Sequence, residues 1–183
     1  MLFKLWKWTW AYVRRLLWKL RFGARLELGK RVFIGSGCTL RIGKNGRICL
    51  KDAVYLSEGC TLEAGEKGEI LLESGAYCNT GCRIYAMEKI RIGKDCLFGS
   101  NVSVYDHDHD ISKGVAKAGK AFVVKPVWIE DHVWCGTNSV ITKGTRIGEN
   151  CVLGAGGVAG GILEPDGLYA GVPAVRKRDI PRE

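Results

Sequence analysis

From residue 129 onward, apolar or small side chains fall at every sixth position: Ile129, Cys135, Ile141, Ile147, Leu153 and Ala159. Two residues before each lies a second series, Val127, Val133, Ser139, Thr145, Cys151 and Gly157. The amino-terminal half keeps the beat in triplets: Leu28, Ile34, Leu40; Leu50, Leu56, Leu62; Leu72, Cys78, Ile84; Ile92, Phe98, Val104. From Leu40 to Leu50 and from Leu62 to Leu72 the step widens to ten, and the extra residues fall in the turn sequences GKNGR and GEKGE. A period of six fits neither a helix of about 3.6 residues per turn nor a simple alternating hairpin. It predicts a parallel β-helix, an all-β fold in which short strands form flat walls, small residues turn the corners and three hexads close one triangular coil.

The beat fails between residues 105 and 126, which predicts a loop excursion from the coil. At its start stands NVSVYDHDHDIS, residues 101–112, with His107 and His109 set among Asp106, Asp108 and Asp110. These residue types suit a metal site, a base with its carboxylate or a solvated loop tip, and their place in the fold has to decide. Cysteine usage narrows the choice. Cys38, Cys60 and Cys82 are 22 residues apart and stack on one corner of three coils; Cys78, Cys96, Cys135 and Cys151 also fall in the inward series, and Cys49 does not. No pair has CxxC spacing, so zinc-binding and disulfide readings give way to buried, reduced thiols in a cytosolic protein.

Residues 1–22, MLFKLWKWTWAYVRRLLWKLRF, precede the first hexad and follow a different period. At about 100° per residue, Lys4, Lys7, Arg14, Arg15, Lys19 and Arg21 gather on one arc and Leu2, Leu5, Trp6, Val13, Leu16, Leu17 and Leu20 on the other. Four of six tryptophans, Trp6, Trp8, Trp10 and Trp18, lie here, with no acidic residue. The chain divides into an amphipathic α-helix at 1–24 and a β-helix domain at 25–183. The net charge of +9 calls for an anionic partner. An interfacial helix makes that partner an anionic membrane surface met by residues 1–22, with no nucleic acid involved; the alternative is a helix packed on an oligomer of the chain or on a partner protein with its tryptophans as core, and a spanning helix and a signal peptide both fit poorly. On this reading a chain starting near Gly23 stays soluble and keeps its fold.

Two stretches carry a resemblance. KPVWIEDHVWCGTNSVITKGTRIGENCVLGAGGVAGG, closed by YAGVPA, and LFGSNVSVYDHDHD resemble the hexapeptide-repeat acyltransferases, within them the maltose and galactoside O-acetyltransferase-like branch; the resemblance covers roughly residues 28–178. It implies a left-handed parallel β-helix, a homotrimer with sites between subunits, acetyl-CoA along the coils as acyl donor, no metal, and a carbohydrate acceptor, as in envelope polysaccharide or lipid-linked glycan synthesis. It also implies a place on the cytoplasmic side, which the helix extends to the inner face of the cell membrane.

The resemblance carries roles onto this chain residue by residue. The family's histidine base stands eight residues after the asparagine of a Leu-x-x-x-Asn-Val stretch; with Leu97 and Asn101-Val102 matching, the base is His109. Imidazole suits removal of a proton from a sugar hydroxyl near neutral pH. His107 is then a neighbour on the acceptor side, together with Asn79. Asp106 or Asp108 is expected to orient the base. The tryptophan eight residues after the loop-ending Pro126 is Trp134, whose backbone N–H is the expected oxyanion donor. Acetyl-CoA would meet Gly136, Thr137, Ala155 and Gly156, with Arg176 and Lys177 toward its phosphates. The chain departs from the pattern where relatives carry Thr-Lys-Asp-Ile-Pro, having Gly160-Gly161-Ile162-Leu163-Glu164-Pro165, and where they carry an acidic pair, having Ala86-Met87. Amino-sugar N-acetylation is the alternative reaction. A zinc enzyme on the same coil would need three histidines at one interface, from His107, His109 and His132; a non-catalytic scaffold would bind no acetyl-CoA.

Overall fold

The computed structural model describes residues 2–112, 114–115 and 121–181, with side chains from Thr9 onward. The side chains of Leu2, Lys4, Leu5, Trp6, Lys7 and Trp8, and positions 113 and 116–120 of the excursion, lie outside the described residues. Among the described residues, helix α1 (Leu2–Phe22) and a short 3-10 turn at Gly23–Arg25 precede a stack of parallel coils with three walls, which two short antiparallel pairings supplement.

Each series read from the sequence is one ladder. On wall one, Leu28, Leu50, Leu72, Ile92, Ile129, Ile147 and Leu163 stand in direct register. On wall two the ladder is Ile34, Leu56, Cys78, Phe98, Cys135, Leu153 and Tyr169. On wall three it is Leu40, Leu62, Ile84, Val104, Ile141 and Ala159. Among these, the side chains from Ile34 to Leu163 are at most 2% exposed. Partners 22 residues apart give the wide lower coils and partners 18 residues apart the narrow upper ones. The widened corners are the expected ones: Gly43–Gly46 turns over Gly65–Gly68, and a Cβ on Gly43 would stand 2.6 Å from the Gly65 carbonyl. No side chain fits there.

All eight cysteines are free thiols, and the stacked corner holds: the Cys38, Cys60 and Cys82 sulfurs donate to the carbonyls of Ser57, Asn79 and Gly99. Burial pushes the Cys96 thiol up to about 12 and the Cys135 thiol well above its ordinary value. Cys49 lies outside the inward series as expected, yet it is only 8% exposed, because Glu27 and Lys51 close over it on the outer side of wall one.

The first coil has an open edge, and α1 closes it. In a parallel ladder, alternate residues turn their N–H and C=O to opposite neighbours, so the first coil aims one set of carbonyls at nothing. The basic residues of the helix region meet them. Arg14 Nε donates to Ile34 O (2.9 Å), Arg15 to Gly29 O (2.8 Å) and Lys19 Nζ to Leu26 O (2.6 Å), while Arg25 reaches Ile42 O and Gly43 O. Ala11, Trp18 and Phe22 pack inward between these cations, Trp18 stacked on Phe22. Among the described residues, Arg14, Arg15 and Lys19 of the cationic arc reach the coil, while Val13, Leu16, Leu17 and Leu20 of the apolar arc are exposed. Residues 1–22 thus supply donors to the first coil's edge, which bears against the expectation that a chain starting near Gly23 keeps its fold.

Candidate functional site

The excursion leaves the end of the wall-three strand Ser103–Tyr105 as an antiparallel hairpin, His107–His109 paired with Phe122–Val124, before wall one resumes at Val127. Asp106 fixes its base. The side chain is wholly buried and its carboxylate accepts the backbone N–H groups of Met87, Glu88 and Lys89, each at 2.8 Å. It also faces His107 Nδ1 at 3.0 Å. A buried carboxylate needs such donors, and with three amides satisfied it holds the imidazole in one orientation. His107 is further boxed by the ring edges of Tyr105 and Phe122.

His109 lies opposite Phe122, their ring centroids 4.8 Å apart, and is exposed at the hairpin surface. The two carboxylates expected to orient it are engaged elsewhere. Asp106 is spent on the amides and His107, and Asp108 pairs with Lys143 across the corner between walls three and one. Asp106 sits at the bend before the hairpin strand and points inward, while Asp108, on the strand face opposite His107 and His109, meets Lys143.

The residues expected to meet the acyl donor collect on another corner, between walls two and three. Asn79, Gly99, Gly136 and Gly154 occupy equivalent places on successive coils there. A Cβ on Gly136 would stand 2.5 Å from Ala155 N, so the coils touch through backbone alone. Thr137, Ala155 and Gly156 are exposed on this corner, and Gly156, at φ +67°, has open space where a side chain would be. Trp134, 53% exposed, stands beside them on wall two.

Its backbone N–H, however, donates to Cys151 O at 2.9 Å and is not available to an oxyanion. The coil ladder claims every second amide of a wall, which the sequence motif did not reveal. The amides of Ser100, Thr137 and Ala155, at the equivalent turn just past the wall-two strand on successive coils, have no acceptor among the described residues; that of Thr137 lies beside Trp134. Asn79 Oδ1 accepts from the Thr80 amide.

At the carboxyl end, the strand Val175–Asp179 runs back antiparallel on Gly167–Ala170. Arg176 is its lock. The guanidinium donates to the carbonyls of Glu164, Pro165 and Asp166, to the Tyr169 hydroxyl and to Asp179. Its donors are exhausted, which corrects its assignment to phosphate; Lys177 is exposed beside it. His132 is an exposed corner residue with φ +60°, on a different turn from the hairpin histidines. Among the described residues no group of three or more His, Cys, Asp or Glu is placed to hold a metal ion.

The hairpin and the donor corner are apart within one chain. Asp108 is tied to Lys143 at the corner after the wall-three strand Val140–Ile141, whereas Thr137 stands at the turn before that strand.

Comparison with known proteins agrees with this architecture. Residues 89–105 and 126–158 match the family described as "Hexapeptide repeat of succinyl-transferase". A galactoside O-acetyltransferase of Lactococcus lactis is 37% identical over 92 residues, covering 50% of this chain and 44% of the relative. A putative lipopolysaccharide-biosynthesis O-acetyltransferase of Escherichia coli is 32% identical over 93 residues, covering 46% and 47%. The chain thus matches less than half the length of these relatives. Among solved structures, a galactoside acetyltransferase in complex with coenzyme A superposes with a TM-score of 0.64 at 23% identity, covering 92% of this chain and 70% of that one. A maltose O-acetyltransferase from Clostridium difficile gives 0.59 at 24%, covering 86% and 72%. The repeat and the left-handed parallel β-helix are shared with the hexapeptide-repeat acetyltransferases.

Proposed function

We propose that this chain, built on the hexapeptide repeat, is an acetyl-CoA-dependent O-acetyltransferase acting on a sugar hydroxyl. The observation that carries the reading is the split site. A histidine-bearing hairpin stands at one corner of the coil, and an exposed, backbone-lined corner with an unclaimed Thr137 amide stands at another. Two neighbouring subunits of a trimer bring such corners together; one chain does not. The relatives named as sugar and lipopolysaccharide O-acetyltransferases support the substrate class.

In this mechanism the pantetheine arm of acetyl-CoA runs over the corner of Gly136, Thr137, Ala155 and Gly156, approaching the backbone in the open space at Gly156, and Lys177 meets its phosphates. His109 takes the proton of the acceptor hydroxyl as that oxygen attacks the thioester carbonyl. The Thr137 N–H of the neighbouring subunit donates to the oxyanion. Collapse of the tetrahedral intermediate breaks the C–S bond, and the imidazolium returns its proton to the departing thiolate. His107, held by Asp106, and Asn79 contact the acceptor. The acceptor belongs to envelope polysaccharide or lipid-linked glycan synthesis, and residues 1–22 attach the enzyme to the inner face of the cell membrane.

Thiol release from acetyl-CoA, measured across free sugars, nucleotide sugars, lipid-linked glycans and amino sugars, tests the reaction. His109→Ala is expected to lower the rate by about 10²–10⁴-fold with coenzyme A affinity unchanged. His107→Ala keeps substantial activity. A dead His107 variant beside an active His109 variant reverses the assignment, and transfer to amines alone makes the enzyme an N-acetyltransferase.

A further inference from the structure

Helix α1 has used its cationic face on the coil, and its opposite face is bare. Val13, Leu16, Leu17 and Leu20 point away from the solenoid, with Leu16, Leu17 and Leu20 52%, 59% and 73% exposed, and Tyr12 extends the patch at 66%. Such a contiguous apolar face on the flat end of a solenoid is a binding surface. Beside it, Tyr12, Arg15, Leu16, Lys19 and Leu28 line a cleft of about 220 Å³ between the helix and wall one.

We propose that this outward face of α1 docks the protein end-on to an anionic lipid bilayer, the leucines entering the interface and the cleft cations meeting headgroup phosphates. The inference rests on the membrane attachment proposed above and specifies its face and its driving force. Charge selects the occupant. Residues 1–25 contain seven Lys and Arg and no Asp or Glu, so the segment that carries the apolar face is strongly cationic. A second copy would set this cationic end against itself; an anionic lipid surface complements it. Arg15 gives one of its five N–H groups to Gly29 O, and Arg21 is exposed at the rim over Trp18, so cations remain for phosphates after the edge carbonyls are met.

The cations that cap the coil keep their charge and give the preference for anionic lipid, while the leucines supply an apolar insertion that salt does not screen. Binding to anionic vesicles therefore persists in salt, unlike that of a helix attracted by charge alone. Among the described residues no helix is long and apolar enough to cross a membrane, which suits a helix lying in the interface.

The test is co-sedimentation of the full chain with phosphatidylcholine vesicles with and without phosphatidylglycerol, at low and high salt, for wild type and for Leu16→Glu/Leu20→Glu. Both leucines are exposed, so the variant should keep the wild-type melting curve and coenzyme A binding. Expected are pelleting of wild type with the anionic vesicles at both salt levels and a loss of roughly tenfold or more in vesicle affinity for the variant. If wild type does not pellet, the membrane attachment itself is wrong. If the variant pellets like wild type, or salt removes all binding, attachment stands and this face and driving force are overturned. If the variant instead changes the oligomeric state without vesicles, the face is covered by another copy of the chain and the proposal falls.

Discussion

Asp106 is where sequence and site meet most closely. In the string YDHDHD it looks like one of three equivalent carboxylates. In the fold it is the only one of them that is buried, because it is the first residue after a wall strand and still points inward, where three amides of the Met87–Lys89 turn converge on it. Asp106→Asn keeps the size but turns an NH2 group toward amide donors. It should cost about 2–4 kcal/mol of stability, since a buried network loses acceptors rather than a surface contact. Denaturant midpoints check this, together with faster hydrogen exchange at Met87, Glu88 and Lys89. A variant as stable as wild type would mean the cluster is loosely held.

At the scale of elements, the six-residue beat made the three walls readable strand by strand, because every ladder is the same side chain repeated once per coil. The helix was readable as two arcs. Which arc turns inward was not, because periodicity is indifferent to direction; the open carbonyls of the first coil decide it, and they exist only once the coil is built. The same holds for Arg176, a plausible phosphate ligand in sequence, whose donors the last turn of the solenoid consumes. A chain beginning at Gly23 loses the Arg14, Arg15 and Lys19 caps and uncovers Leu26 and Val32. It is expected to be about 3–6 kcal/mol less stable and to associate through its bared strand edges. Thermal melting with light scattering reports both. A truncated chain that melts with the full-length protein and stays monodisperse would remove the capping role.

For the whole molecule, the motifs located both halves of the site but not their separation. His109 and Thr137 are 28 residues apart in sequence, and only the coil shows them on different corners. Nor did the motifs show that the Trp134 amide is tied into the ladder while the Thr137 amide is not. The account therefore stands on two chains sharing one site, and subunit mixing tests it most directly. His109→Ala removes the base, and Ala155→Trp fills the exposed donor corner; each protein alone should be inactive. Co-refolded in equal amounts, the two variants form trimers in which about a quarter of the interfaces pair an intact hairpin with an intact donor corner. Roughly a quarter of wild-type thiol-release activity should return. Mixed trimers no more active than either parent would place the whole site within one chain and contradict the account.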